Sequence, residues 1–433
     1  MHDVTAAAAP EKTIIVGLYP TNSAIEPDRL LDELESLVEA ANGTVVERMI
    51  QRRGHDGGSS ANSRPVDGAT HIGRGKVEEL AHAVLETCAS IVVFDNELSP
   101  AQIRELEKRV QCRVIDRSEL ILDIFATRAK TRESRLQVEL AQLAYTAPRL
   151  RGMWTHLARQ AGGMGTRGPG EKQIELDRRM IQQRLAHMKG ELDQILARKE
   201  RQVAARGDRA WCVGLVGYTN AGKSTLMNTL TGAGTYAADQ LFATLDTVSR
   251  RWEVQPGVAI PLSDTVGFVR DLPHHLVASF RSTLAEALHA DLLLHVIDAS
   301  HPEAAMQVQA VNDVLAELEL TPERVLPVLN KIDAVADPLT LAGLRAAMPN
   351  AVCVSAHTGE GLAELARAVA DRRSTDWVEL ALCVPHEHSK LTSMVRDRGE
   401  VLAEEYQDDG WHARVSVPLA LVPALQACIV ATA

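Results

Sequence analysis

The chain has 433 residues, 45% of them apolar and only 3% aromatic, and a formal net charge of −11. That length predicts two to four domains, with cores filled by Leu, Val, Ile and Ala. No apolar stretch approaches the ~18 residues of a membrane-spanning helix, and the start MHDVTAAAAPEK lacks a charged segment followed by an apolar core, so a cytoplasmic protein with no membrane span is expected, a peripheral membrane contact staying open.

Residues 13 to 125 alternate strand-like and helix-like runs: TIIVGLY, DRLLDELESLVEAAN and TVVERMI, then, after a Gly/Ser/Asn loop over 54 to 64, THIG, GKVEELAHAVLETC, SIVVFDNE, SPAQIRELEKRV, CRVIDR and SELILDIFATRA. The alternation predicts a small parallel-sheet α/β domain over 13–130. Pro27 or Asp28 can start its first helix, and Ser99-Pro100 is a good cap and first-turn pair. Gly73-Arg74-Gly75-Lys76 precedes a helix and can hold an anion or simply make a tight turn.

Over 131–207 the chain reads as long helix. Leu136, Leu140, Leu143 and Leu150 recur at near-helical spacing, with Pro148 expected to interrupt or kink the run. A second run repeats Ile174, Ile181, Leu185, Met188, Leu192, Ile195 and Leu196. Between them Gly162 to Gly170, GGMGTRGPG, forms a glycine-rich tip, so the segment is expected to be an antiparallel helical hairpin. Arg149, Arg151, Arg159, Arg167, Arg178, Arg179 and Arg184 lie near that tip, with Trp154 available for stacking on a base. Positions 101 to 210 hold 23 Lys plus Arg against 14 Asp plus Glu, an excess of nine positive charges, so the rest of the chain carries −20. Such a local basic surface suits a polyanion partner, or a solvated helical face that merely packs on its neighbours.

The α/β pattern returns over 208–373, with strand candidates WCVGLVG, VAIPLSD, DLLLHVIDAS, RVLPVLNKID and AVCVSA. The first runs into Gly217-Tyr218-Thr219-Asn220-Ala221-Gly222-Lys223-Ser224, a G-x-x-x-x-G-K-S phosphate loop between strand and helix. Gly217 and Gly222 let the backbone approach a phosphate chain, Lys223 supplies charge to the outer phosphates, and the Ser224 hydroxyl is placed to ligate Mg²⁺. Asp264-Thr265-Val266-Gly267 follows a strand. Its Asp can hold Mg²⁺ through water, and the Gly267 amide can sense the γ-phosphate. Thr244, within Phe242-Ala243-Thr244-Leu245-Asp246, offers a second hydroxyl to Mg²⁺, or is an ordinary loop threonine. Asn330-Lys331-Ile332-Asp333 selects the base: the Asp carboxylate accepts the N1–H and exocyclic amine of guanine and repels the adenine lone pair. The Lys331 stem can cover the base, Asn330 can tie this loop to the phosphate loop, and an amide of Ser355-Ala356-His357 can donate to guanine O6. The last segment, 374–433, reads as a small α+β module without legible chemistry. The six cysteines, Cys88, Cys112, Cys212, Cys353, Cys383 and Cys428, show no C-x-x-C pair and no histidine cluster, and are expected to be buried thiols in a reducing cytosol, neither ligands nor bridges.

The set G-x-x-x-x-G-K-S, D-T-V-G, N-K-I-D and S-A-H resembles the translation-factor-related GTPases. HIGRGKVEEL (71 to 80), LILDIFATRAKTRESRLQVELAQLAY (120 to 145), GGMGTRGPGEKQIELDRR (162 to 179) and FATLD narrow the resemblance to the HflX family, from about residue 13 to about 373. The resemblance implies a P-loop GTPase domain on a doubly wound parallel sheet, a Mg²⁺-dependent conversion of GTP to GDP, and binding to the large ribosomal subunit and its rRNA; no DNA partner and a monomer are expected. Several members separate stalled or idle ribosomes, and the glycine tip would reach toward the peptidyl-transferase region. Two differences stand out. Phe268 departs from the Ras-like pattern by occupying the place of a water-orienting Gln, an apolar residue being common there in the family, so intrinsic hydrolysis should be slow unless a partner completes the site. FATLDTVSR carries Thr247 and Val248 where the family usually reads Pro-Thr. An RNA-remodelling NTPase that also uses ATP, and a GTP-gated adaptor with incidental turnover, stay open as alternatives.

Overall fold

The computed structural model describes residues 10–21, 26–53, 68–150, 169–205, 211–232, 242, 248–270, 290–318 and 320–432. The chain divides into two compact units, the first built on Met1–Gly190 and the second on Glu191–Leu272 and Phe280–Ala433.

The first unit opens with four parallel strands, β1 (Glu11–Pro20), β2 (Gly43–Arg53), β3 (Ile91–Phe94) and β4 (Arg113–Asp116), in the order β2-β1-β3-β4. The central strands are apolar on both faces, as a sheet covered on both sides requires. The helix Pro27–Ala40 buries Leu30, Leu31, Leu34, Leu37 and Val38, one stripe at helical spacing, and Pro27 sits in its first turn. Ser99 caps the helix Pro100–Val110 in a reciprocal box with Gln102. The carboxyl edge of the sheet is closed by a buried network in which the Tyr19 hydroxyl donates to Asp95 and Arg117 bridges Asp95 and Glu33.

Two expectations for this unit need correction. THIG is a turn, not a strand: His71 has φ 62°, the Thr70 hydroxyl donates to the Ile72 carbonyl, and the helix Arg74–Thr87 begins at once. The Gly73 amide before that helix is held by the Gln51 side chain at 3.0 Å, Lys76 pairs with Glu79, and Arg74, Gly75 and Lys76 form the first turn of the helix itself. Pro148 does not stop its helix, which runs over Arg132–Leu150. A proline in a last turn removes few backbone bonds, and Arg149 anchors that turn: it bonds Asp116 at 2.9 Å and the Leu98 carbonyl at 3.1 Å, and stacks on the Tyr145 ring. Arg149 is therefore a structural anchor and not a free cation at the tip. Arg184 pairs with Glu139 across the hairpin, whereas Arg179 is exposed. The returning helix is Pro169–Ala205. Arg151, Arg159, Arg167, Trp154 and most of the 162–170 tip lie outside the described residues.

The second unit holds a six-stranded sheet of β5 (Val213–Gly217), β6 (Val248–Gln255), β7 (Val258–Asp264), β8 (Leu292–Asp298), β9 (Val325–Asn330) and β10 (Val352–Cys353). The order is β10-β9-β8-β5-β7-β6, all parallel except β6, which pairs antiparallel with β7. β6 is the strand missing from the sequence-based set of candidates. A third sheet, β11 (Trp377–Val384), β12 (Glu400–Gln407), β13 (Gly410–Pro418) and β14 (Ile429–Thr432), is antiparallel in the order β12-β13-β11-β14, and the helix Ser389–Arg398 packs Val395 onto it. Among the described residues no helix is long and apolar enough to cross a membrane. All six cysteines are free, but only Cys428 is buried; Cys88 is exposed and the other four are half-buried. Cys383 also lies beside Asp409 and His412.

Candidate nucleotide site

The phosphate loop begins where β5 ends, among its neighbours β8 and β7. Gly217 has φ 151°, and a Cβ there would lie 2.2 Å from the Val296 carbonyl of β8; Gly222 has φ 90°, and its Cβ would lie 2.4 Å from Asn330 Nδ2. Both positions exclude any side chain. The helix Lys223–Thr231 follows, so its positive end faces the loop. Within the loop the Lys223 ammonium donates to the carbonyls of Gly217 at 3.0 Å and Tyr218 at 2.7 Å. Burial pulls this lysine down to about 8, against the opposing pull of Asp264. His295, on β8, is likewise lowered to about 4, by burial first and by Lys223 second, so it is neutral near pH 7.

The register Leu215↔Asp264 places the end of β7 beside the loop. The Ser224 hydroxyl donates to Asp264 Oδ2 at 2.6 Å. A hydroxyl and a carboxylate brought together at a phosphate loop are hard oxygen donors, the set that Mg²⁺ takes. Thr265 does not face this pair: it is buried and donates to the Leu215 carbonyl at 2.6 Å. Val266 is also buried, while at Gly267 a Cβ would come within 2.9 Å of both Lys223 Nζ and Thr219 Cγ2. Gly267 thus sits against the charged end of Lys223. The next residue closes the loop through its backbone: the Phe268 amide donates to the Gly217 carbonyl at 3.1 Å, and the Thr219 amide to the Phe268 carbonyl at 2.7 Å. The Phe268 ring is buried with Val216, Tyr218 and Leu293, so it is a core side chain that brings no group to a reacting water.

On the base side, Asn330 is the linchpin. Its Nδ2 donates to the Ala221 carbonyl at 2.9 Å and its Oδ1 accepts the Ala356 amide at 3.0 Å, joining the phosphate loop to the Ser355-Ala356-His357 turn. The Ser355 amide donates to the Glu360 carbonyl and the Ser355 hydroxyl accepts the Thr358 amide, so this turn is internally braced. His357 is exposed. Lys331 has φ 60° and its ammonium pairs with Asp298 at 2.7 Å. Ile332 and Asp333 form a short 3-10 turn in which Asp333 is exposed, its carboxylate open to a base. Asp298 is a site residue that sequence reasoning missed. Its signal was an acidic residue ending the apolar run of β8, beside the strand that carries Asn330. Of the remaining candidates, Phe242 is buried with φ 55°, and Ala243, Thr244, Leu245 and Asp246 lie outside the described residues.

Three family models match consecutive stretches: "GTP-binding GTPase N-terminal" over 28–126, "GTP-binding GTPase Middle Region" over 128–206, and "50S ribosome-binding GTPase" over 212–331. The chain is 42% identical to the GTPase HflX of Lacrimispora saccharolytica, covering 96% of each chain, and 44% identical to that of Escherichia coli, covering 93% of this chain and 92% of the relative. The chain belongs to the GTPase HflX family. It is accordingly a GTP-hydrolysing enzyme. A GTP-binding protein from Sulfolobus solfataricus, solved with GDP, is similar over 83% of this chain and 98% of its own, at 23% identity and a TM-score of 0.43.

Proposed function

We propose that this HflX-family enzyme is a GTP-driven switch that binds the large ribosomal subunit in the cytoplasm and separates stalled or idle ribosomes into subunits. The observation that carries the switch is the interlock around the phosphate loop. Lys223 is held by two loop carbonyls, Gly267 lies against its ammonium, and the Phe268 backbone clasps Gly217 and Thr219. A γ-phosphate that draws Lys223 outward has to disturb the segment after Asp264 as well, and a segment that reads the third phosphate is what a GTPase switch consists of. Ser224 and Asp264, the latter through water, would hold Mg²⁺, which supplies neutralisation of charge between the outer phosphates. Lys223 stabilises charge on the transferred group, Asp333 reads guanine, and Asn330 keeps the base-side turn and the phosphate loop in register.

The ribosomal half of the reading is supported by the ribosome-binding GTPase model over 212–331 and by the nine-charge positive excess over 101 to 210. Phe268 fits a catalyst that is incomplete alone, because its buried ring neither donates to nor accepts from water. A second nucleotide site in the N-terminal sheet is disfavoured, since the Tyr19, Asp95, Arg117 and Glu33 network fills the carboxyl edge at which such sheets bind nucleotides. The test is co-sedimentation with large subunits in the presence of a non-hydrolysable GTP analogue or GDP, together with GTP turnover. Binding should favour the analogue and turnover should rise by about 100-fold or more on adding subunits, the scale on which a completed site acts. Equal turnover with and without subunits would remove the ribosomal reading and leave the GTPase in place.

A further inference from the structure

We propose that Cys383, Asp409 and His412 form a binding site for a zinc-type divalent transition metal on the C-terminal sheet. The three are separated by 26 and 3 residues in the chain and meet through strand register alone. Cys383 on β11 stands directly opposite His412 on β13. Asp409 is the second residue of the two-residue turn that joins β12 to β13, with Gln407 paired to Gly410 across it. Gly410 makes that placement possible: its φ is 156°, and a Cβ there would stand 2.4 Å from the Val384 carbonyl, so the hairpin end can press against β11 only with glycine at this position.

The donor atoms converge. Cys383 Sγ lies 3.4 Å from His412 Nε2 and 3.8 Å from Asp409 Oδ2, and His412 Nε2 lies 2.8 Å from Asp409 Oδ1. Bond lengths of about 2.0 to 2.3 Å at a tetrahedral zinc give donor separations of about 3.3 to 3.6 Å. Two of the three spans are already close to that range, and the short one can open because the Asp409 side chain is 63% exposed. The arrangement is not that of an activated nucleophile. A thiol–imidazole–carboxylate relay uses both ring nitrogens, one toward each neighbour, whereas here the thiol and the carboxylate meet the same nitrogen. One sulfur, one imidazole nitrogen and one carboxylate oxygen suit zinc or cobalt(II) and not Mg²⁺ or Ca²⁺. The exposed side leaves the fourth position to water. The other cysteines offer no such set: Cys88 and Cys112 turn their sulfurs to backbone carbonyls, and among the described residues this is the one group of three such donors.

The test uses untagged full-length protein, stripped with chelator and titrated with cobalt(II) while its absorption is recorded. The expected result is one equivalent bound with a thiolate-to-cobalt charge-transfer band, displaced by zinc. Cobalt in the oxygen-lined site at Ser224 and Asp264 cannot produce that band, so the two sites separate optically. Cys383→Ser and His412→Gln should abolish the band, and Asp409→Asn should weaken binding by about tenfold or more, the scale of lost support at metal sites. All three variants should keep wild-type GTP binding, which shows that they are folded. A titration without the band, or a band that survives Cys383→Ser, overturns the site.

Discussion

At the level of single residues, the chemistry we propose for the pocket is concentrated in Lys223, Asn330 and Asp333. Lys223 is a buried cation: it stands at about 8 because burial disfavours its charge more than Asp264 restores it. Its folded value lies below the ordinary 10.5 of an unfolded lysine. The unfolded chain therefore binds the extra proton between these values, so the destabilising penalty is fully present below about pH 8 and is lifted as the pH rises through that window. Nucleotide works in the opposite direction. Phosphate beside the ammonium favours its charged form, so above about pH 8 binding must take up a proton and GTP affinity should fall with a limiting slope of one decade per pH unit. Fluorescence titrations of nucleotide from pH 7 to pH 10 check this, and a flat profile would mean that the lysine stays charged in the empty loop. Asp333 is simpler. Its exposed carboxylate has no duty in the fold beyond its short turn, so Asp333→Asn should leave the melting temperature near wild type. It should weaken GTP by about 3 kcal/mol, the scale of losing charge-assisted bonds to a base, and improve xanthosine triphosphate. Unchanged guanine affinity in a binding titration would sink the base-reading role.

At the level of elements, the sequence and the structure part company where a local signal was outweighed by a neighbour. β6 carries Arg250 and Arg251 between Val248 and Trp252, a pattern too polar to stand out beside the apolar β5 and β8. It exists because β7 offers an open edge, against which Trp252 and Val254 bury one face. Pro148 was expected to interrupt or kink its run; it does not interrupt it, and the ties of Arg149 to Asp116 and Leu98 hold its turn helical. THIG looked like a strand but is a turn, since Thr70 and Ile72 bond to each other rather than to a partner strand. By contrast, Ser99-Pro100 and Pro27 start their helices as read, because capping depends on a few adjacent residues. The convergence of the candidate site was legible for the same reason: G-x-x-x-x-G-K-S, D-T-V-G and N-K-I-D each lie at the end of one apolar strand, and parallel strands deliver their carboxyl ends to one edge.

At the level of the whole molecule, the question is how a nucleotide pocket of ordinary construction is put to use. The helices Arg132–Leu150 and Pro169–Ala205 are joined by the segment that carries the glycine tip, within the most basic stretch of the chain. Removing residues 162 to 170 should therefore leave GTP affinity within about twofold, as expected for sites without shared partners, while subunit separation in sucrose gradients is lost. A deletion that still separates subunits would assign that work to other surfaces, and one that loses GTP binding would show the tip to be part of the fold.

The sequence by itself determined the nucleotide class, the sheet edge on which the pocket is built and the family, because phosphate loops and base-reading loops are contiguous in the chain and owe their geometry to local backbone rules. Tertiary structure decided the rest. It turned the Phe268 side chain into core while leaving its backbone to clasp the loop, brought Asp298 to Lys331, and spent Arg149 on an anchor. It also set Cys383 against His412 and Asp409. No local pattern encodes that last meeting, since it depends on which residues of β11 and β13 stand opposite each other, and register is fixed only when the strands pair.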